Sequence, residues 1–253
     1  MRVVINGILG QMGQRILACS KDVPEIEVVG GADINAEEGL YEDLKIAQTL
    51  DDFSGACDVV INFSAPEALS DVLEFVKKEK CALVEGTTGF SEDQKKELKR
   101  VAENVPIIFS PNMSLGVNFL FYILPTFVRA LNDWDMELLE LHHKRKKDAP
   151  SGTAERLLEI IQENEPSREE LVWGRHGQVG KRKPSELGCF AIRGGDVVGE
   201  HTVYFLNEGE RIELTHKAQT RDTFARGAVQ AARYIHGKEP GLYSTFDMIK
   251  DRL

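Results

Sequence analysis

Over roughly the first hundred residues, short β-branched runs alternate with helix-length segments of mixed polarity, the pattern of βαβ units and so of a parallel sheet. The runs predict strands at Val3 to Asn6, Val28 to Ala32, Val59 to Phe63, Ala82 to Glu85 and Ile107 to Phe109. Ser64-Ala65-Pro66-Glu67 and Ser91-Glu92-Asp93-Gln94 fit the capping box, in which a hydroxyl and an acid or amide three residues on satisfy first-turn amides of a helix. Strands with intervening helices predict an α/β fold with a doubly wound sheet.

After Ser110-Pro111-Asn112-Met113 the pattern changes. Residues 115 to 131 predict an apolar helix interrupted by Pro125, and Trp134 to Leu141 a strand that runs directly into His142-His143. Further strands, Cys189 to Arg193, Val197 to Phe205 and Arg211 to Ala218, follow without obvious crossover helices, the last two joined by the tight turn Asn207-Glu208-Gly209-Glu210. This half is expected to be α+β with a mixed or antiparallel sheet. Gln162 to Gly188, rich in Glu, Gly, Pro and Lys, is expected to be a long loop. A final helix from Thr223 to Ile235 presents Phe224, Ala228, Ala231 and Ile235 on one face, with Gly237 as its C-cap, and is expected to return to the first part of the chain.

At 253 residues and 42% hydrophobic, the chain can fill one large core or two modest ones. Its formal charge of −10 argues against nucleic acid or an anionic membrane as partner, so any anionic ligand must be met locally. Cys19, Cys57, Cys81 and Cys189 are widely spaced, without a C-x-x-C pair, and free thiols in a reducing compartment are expected. The chain passes from Met1 directly into Val3-Val4-Ile5 with no signal-peptide pattern, and no apolar run approaches the ~18 residues of a membrane span. A soluble cytoplasmic protein is expected.

Gly7-Ile8-Leu9-Gly10-Gln11-Met12-Gly13 follows the first strand and opens a helix. Glycines there permit a tight turn, the approach of backbone amides to a pyrophosphate and close helix-strand packing, while the helix N-terminus favours negative charge. The spacing is G-x-x-G-x-x-G, with Leu9 where the usual Rossmann fingerprint has its second glycine. Asp33, at the end of the second strand and about 20 residues past Gly13, is placed to accept hydrogen bonds from ribose hydroxyls. Together they predict dinucleotide binding in a Rossmann-type sheet. Two further turns lie where such strands end: Gly86-Thr87-Thr88-Gly89 and Ser110-Pro111-Asn112-Met113.

In this acidic chain, His142-His143-Lys144-Arg145-Lys146-Lys147 is the clearest local anomaly. Directly after it, Asp148-Ala149-Pro150-Ser151-Gly152-Thr153 leads into a segment of helical period, so Ser151, Gly152 and Thr153 fall at a helix N-terminus, where amides and dipole favour carboxylate or phosphate. Cations, a helix N-terminus and two imidazoles make a site for a dianionic acid with proton chemistry nearby. His142 and His143 are expected to point to opposite sides. With no Cys, Asp or Glu seen at ligand spacing, no metal is expected.

At these residues the chain resembles the dihydrodipicolinate reductase family, also called 4-hydroxy-tetrahydrodipicolinate reductase, of bacterial lysine and diaminopimelate synthesis. The resemblance runs along essentially the whole chain, through Gly7 to Gly13, Gly86 to Gly89, Glu140 to Thr153 and Ile192 to His201; the His-His-x-x-Lys-x-Asp-Ala-Pro-Ser-Gly-Thr stretch is highly specific. It implies NAD(P)H-dependent hydride transfer to C4 of the cyclic conjugated imine, giving tetrahydrodipicolinate. It implies His142 as proton donor or acceptor and Lys146 as catalytic lysine. His143, Lys146, Gly152 and Thr153 then match the substrate-carboxylate contacts, with Ser151 beside them; Gly7, Ile8, Leu9, Gly10, Gln11, Met12, Asp33, Gly86, Thr87, Thr88, Ser110, Pro111, Asn112 and Met113 match the cofactor contacts. A homotetramer assembled through the second sheet is implied as well. Residues 1–113 are then the dinucleotide-binding domain, 114–221 the substrate-binding and oligomerisation domain, and 222–253 a C-terminal helix returning to the first. Some relatives carry an arginine directly after the ribose-binding acid. Here Ile34 stands there, so NADH is expected to be used at least as well as NADPH. Arg193 and His201 receive a structural reading, as strand residues that satisfy one another.

Two other readings lead elsewhere. A dehydrogenase of another amino-dicarboxylate, such as aspartate, fits the two-domain frame but not the full histidine-lysine-Ser-Gly-Thr segment. A nucleotide-sensing regulator whose basic segment contacts nucleic acid is opposed by the net charge and by the lack of a helix-turn-helix.

Overall fold

A computed structural model of the chain describes residues 1–37, 39–41 and 44–253. The elements begin with β1 (Arg2–Asn6), α1 (Gln11–Ser20), β2 (Glu27–Ala32), β3 (Gly39–Tyr41), β4 (Leu44–Ala47), β5 (Val59–Asn62), α2 (Leu69–Glu79), β6 (Ala82–Glu85), α3 (Glu92–Ala102) and β7 (Pro106–Phe109). They continue with α4 (Leu115–Ala130), β8 (Asp135–His142), α5 (Gly152–Asn164), β9 (Glu170–Val172), β10 (Glu186–Arg193), β11 (Gly199–Asn207) and β12 (Glu210–Ala218), and close with α6 (Asp222–Ile235), β13 (Gly241–Tyr243) and α7 (Thr245–Lys250). The chain divides into two compact units, one of Met1–Leu115 with Asp222–Leu253, the other of Gly116–Arg221.

In the first unit the sheet runs β13-β7-β6-β5-β1-β2-β4-β3, parallel throughout except for the antiparallel β3-β4 edge. Both faces are covered, which explains why β1, β5 and β6 read as continuous apolar runs rather than alternating ones. Val3 and Ile5 of β1 pack in one core with Ile16 of α1 and with Ala225, Ala228, Ala231, Ala232 and Ile235 of α6; Val4 points the other way, into a core with Leu69, Val72, Leu73 and Val76 of α2 and Leu98 and Val101 of α3. Small residues let α6 lie close against α1. Gly237 follows this helix with φ +76°, the left-handed conformation that ends helices.

Of the two expected capping boxes, the one at Ser91 forms: its hydroxyl accepts from Gln94 N, and Gln94 returns a bond to Ser91 N. The one at Ser64 does not. The Ser64 hydroxyl instead donates to Asn62 Oδ1 at 2.7 Å and accepts from Asn6 Nδ2 at 3.2 Å, so it is engaged across the strand ends.

The second unit is built on the mixed sheet β12-β11-β8-β10-β9, in which β8 pairs antiparallel with β11 and parallel with β10. The α4 helix runs through Pro125 without ending there, since Val117, Leu120, Phe121, Leu124 and Val128 are buried on both sides of it. The stretch 162–188, expected as one loop, is not: α5 extends to Asn164, β9 pairs with β10, and β10 starts at Glu186. Residues 173–185 between them are tied down by arginines. Arg175 makes two 3.0 Å hydrogen bonds to the Glu137 carboxylate, Arg182 adds a third at 3.0 Å, and Arg168 donates to the Pro184 carbonyl.

Candidate active site

In the first unit the sequence-nominated residues gather at the carboxyl ends of the parallel strands, where ligands of such sheets bind. Gly7 adopts φ +81°, and a Cβ on Gly13 would lie 2.2 Å from the Gly7 carbonyl oxygen, so the β1-α1 turn closes only with glycine at both positions. No side chain caps α1, and Gly10 at its N-cap is exposed. Asp33 Oδ2 accepts from Leu9 N at 3.1 Å and Oδ1 from Asn35 N at 3.0 Å, which holds the acid at the rim of the glycine turn. Ile34 beside it is 85% exposed.

Not every nominated residue offers a side chain. Ile8, Thr87, Ser110 and Met113 are buried, so Ile8 and Met113 can meet a ligand only through their backbone. Gln11, Thr88 and Pro111 are exposed, and Leu9, Met12 and Asn112 half-buried. Ser110 Oγ is already engaged with the Asn112 carbonyl at 2.7 Å.

In the second unit β8 carries alternating side chains, and Met136, Leu138, Glu140 and His142 share its buried face. Glu140, wholly buried, is the hub. Its Oε1 accepts from Arg193 Nη2 at 2.8 Å, and its Oε2 accepts from Ser151 N at 3.1 Å and faces His142 Nδ1 at 3.6 Å and His201 Nε2 at 3.7 Å. Burial alone would raise its carboxyl, but the contacts from His201, Ser151 and Arg193 together outweigh that and hold it well below the usual carboxylate range. His201 Nε2 lies 3.0 Å from Ser151 Oγ, and the His142 and His201 rings meet edge to face at 5.1 Å. Arg193 and His201 do not pair with each other as expected: each meets Glu140, next to His142, and His201 Nδ1 is buried without a hydrogen-bond partner.

His142 is 7% exposed, and burial pushes its imidazole down to about 4 against the opposing pull of Glu140. It is therefore neutral at neutral pH. Gly199 leaves room for the ring, since a Cβ there would sit 3.0 Å from His142 Nε2. His143, past the strand end, is half-buried. Lys146 Nζ pairs with Asp148 at 2.8 Å, its own side chain 19% exposed and that of Asp148 59%. At the start of α5, the Ser151 hydroxyl is used inwards, accepting from Ala154 N, whereas Gly152 is exposed and borders open space.

Glu140 corrects the premise that no carboxylate stands near the histidines. Two residues before His142 on a strand means the same face, a spacing that the basic run after it obscured. Glu140, His142 and His201 bring ligand atoms within 4.8 Å of one another, but the Arg193 guanidinium already supplies the positive charge that a cation would bring to this carboxylate. His201 and Arg193 arrive from β11 and β10, and only strand register could have placed them here.

A glycine cradle on a parallel sheet, with a buried imidazole and a lysine beside a helix N-terminus elsewhere in the same chain, is the build of an NAD(P)H-dependent oxidoreductase. The family model described as dihydrodipicolinate reductase, N-terminus, matches residues 1–113, and that described as dihydrodipicolinate reductase, C-terminus, matches residues 116–249. The chain belongs to the dihydrodipicolinate reductase family, which serves lysine and diaminopimelate biosynthesis. It is 48% identical to the 4-hydroxy-tetrahydrodipicolinate reductase of Aquifex aeolicus (strain VF5) over 263 aligned residues, covering 98% of each chain. With that of Syntrophotalea carbinolica it shares 40%, again over 98% of each. In fold it resembles the dipicolinate-bound dihydrodipicolinate reductase from Paenisporosarcina sp. TG-14, with a TM-score of 0.83 at 22% identity, covering 98% of this chain and 99% of that one. No helix among the described residues is long and apolar enough to cross a membrane.

Proposed function

We propose that this chain reduces the cyclic imine formed from 4-hydroxy-tetrahydrodipicolinate to tetrahydrodipicolinate. The observation that carries this reading is the Glu140-centred cluster, which fixes His142 and the start of α5 beside the Lys146 segment. In the first unit the tight turn of Gly7, Gly10 and Gly13, whose backbone a Cβ at Gly13 would strike, and the acid Asp33 at its rim fit a dinucleotide. When bound, the reduced nicotinamide supplies the hydride.

The chain's own residues do the rest. The amides of Gly152 and Thr153 at the α5 N-terminus, with His143 and Lys146, receive a substrate carboxylate. Lys146 is held by Asp148 in a pair with one well-exposed partner, an arrangement worth little, so a bound carboxylate can take over the ammonium. Once hydride has reached C4, the enamine left behind must gain one proton on carbon. Lys146 is the group that delivers it, while neutral His142, oriented by Glu140, accepts the proton that the ring N–H gives up as the C=N bond re-forms.

Asp33 repels a 2′-phosphate and Ile34 offers nothing to neutralise one, so NADH should serve at least as well as NADPH. Replacing Ile34 by Arg should shift the ratio of kcat/KM values towards NADPH roughly fivefold, the worth of about 1 kcal/mol for an exposed ion pair. Steady-state rates with substrate made in situ by the preceding synthase test both statements. Oxaloacetate plus ammonia serves as the contrast: oxidation of NADH with that pair, and none with the imine, would mean an aspartate-type dehydrogenase.

The open face of the second sheet carries Leu139, Leu141, Phe190 and Tyr204 half-buried and Ile192 47% exposed, which supports assembly as a homotetramer through this sheet. Light scattering reads the mass, and a monomer at micromolar concentration would end that part of the proposal.

A further inference from the structure

Asn6, Asn62 and Glu85 are the last residues of β1, β5 and β6, and the strand register sets them side by side, Asn6 opposite Asn62 and Asn62 opposite Glu85. Asn62 and Glu85 are fully buried and Asn6 nearly so. They form one hydrogen-bonded row. Asn6 Nδ2 donates to Asn62 Oδ1 at 2.8 Å, Asn62 Nδ2 to Glu85 Oε2 at 2.7 Å, and Thr87 N to Glu85 Oε1 at 2.8 Å. A carboxyl at the end of an apolar strand has no packing advantage over valine or leucine and is costly unless satisfied. What this row gains is a fixed hold on the turn that follows β6.

We propose that Glu85 is a positioning residue for the dinucleotide, its carboxylate holding the Gly86-Thr87-Thr88-Gly89 turn in the geometry that receives the cofactor. The inference rests on the reading of that turn as a cofactor contact. The carboxylate accepts from Asn62 Nδ2 and Thr87 N, which can only donate, and from the Thr87 hydroxyl; a proton on the carboxyl puts a donor where an acceptor was and weakens its hold on the turn. Burial pushes this carboxyl up to about 7, against the hydrogen bonds from Asn62 and Thr87. The groups that face it, Asn62 from β5 and Thr87 from the turn, and next to them Asn6 from β1 and Ser64, are uncharged. The hold is therefore present above neutrality and lost as pH falls through it.

The test is the Kd of NADH, whose own charge is constant in this range, measured by cofactor fluorescence without substrate between about pH 8 and pH 6. If only the ionised form holds the turn, the competent fraction falls and Kd rises about tenfold across that span in the unmodified protein. Glu85→Gln, which presents an N–H where an acceptor is needed, should bind weakly with a flat profile. A flat profile in the unmodified protein overturns the proposal even if the variant does not fold, as does a variant with the affinity and profile of the original. Amide exchange separates contact of the turn with the cofactor from its control by Glu85. Absence of protection at residues 86–89 under saturating NADH removes the turn as a cofactor contact, whereas protection with a flat profile overturns the role of Glu85 alone.

Discussion

His142→Gln and Lys146→Ala should each lower turnover roughly 10²-fold or more, the order expected for positioned acid-base groups, while NADH affinity barely changes. On the proposed mechanism Lys146 protonates the enamine and meets a carboxylate, and alanine removes both, so KM for the imine should rise as well. His142 differs. It is buried and neutral, so glutamine, which keeps a polar group in the space, tests proton handling rather than packing. Steady-state kinetics with direct NADH titration checks the pair; near-original turnover in both variants would contradict the assignment.

Glu140→Ala should destabilise the second unit by about 3 kcal/mol, the lower end for breaking a buried charged set, because Arg193 can still reach water. The Arg193 guanidinium loses its carboxylate and keeps only the Ile192 and Asp148 carbonyls, the Ser151 amide loses its acceptor, and His142 loses the carboxylate its Nδ1 faces. The melting temperature should fall by roughly 6–12 °C, and turnover should fall even where the variant is folded. The same cluster gives the fold a pH dependence. The folded value of His142, about 4, lies below its ordinary 6.5, so as pH drops the unfolded chain takes up this proton first. Stability due to the neutral ring is complete above pH 6.5 and declines towards pH 4 by up to about 3 kcal/mol. Glu140, also depressed, adds its loss only below the ordinary carboxylate range. Glu85, pushed up to about 7, adds a slope of opposite sign over part of this range, so the readout is the difference between thermal melts of the unmodified protein and of His142→Gln, which should lack the decline towards pH 4; equal slopes in the two proteins would contradict the assignment.

The parallel sheet was legible because burial on both faces leaves continuous β-branched runs, and because Gly7 to Gly13 with Asp33 mark one particular turn. Strands β3, β4 and β13 were not: Gly39–Tyr41 and Gly241–Tyr243 are three residues with no β-branched side chain, and Leu44–Ala47 is interrupted by Lys45. Ser64 had the right spacing for a cap and was taken by Asn62, a competition between a local bond and a cross-strand one that sequence does not reveal. At the candidate site, His142, Lys146 and the α5 N-terminus stood out because charge and helix signals are local. Glu140 was within reach of period-two reasoning from His142 and was overlooked behind the basic run. His201 and Arg193, and likewise the row from Asn6 to Glu85, are products of register between distant strands.

Hydride delivery to C4 of the imine is read most directly by isotope. NADH carrying deuterium at the transferring position of the nicotinamide, given with freshly generated imine, should yield tetrahydrodipicolinate with one deuterium at C4 by NMR. Deuterium on the carbon of the C=N bond, or consumption of NADH without labelled product, would contradict it.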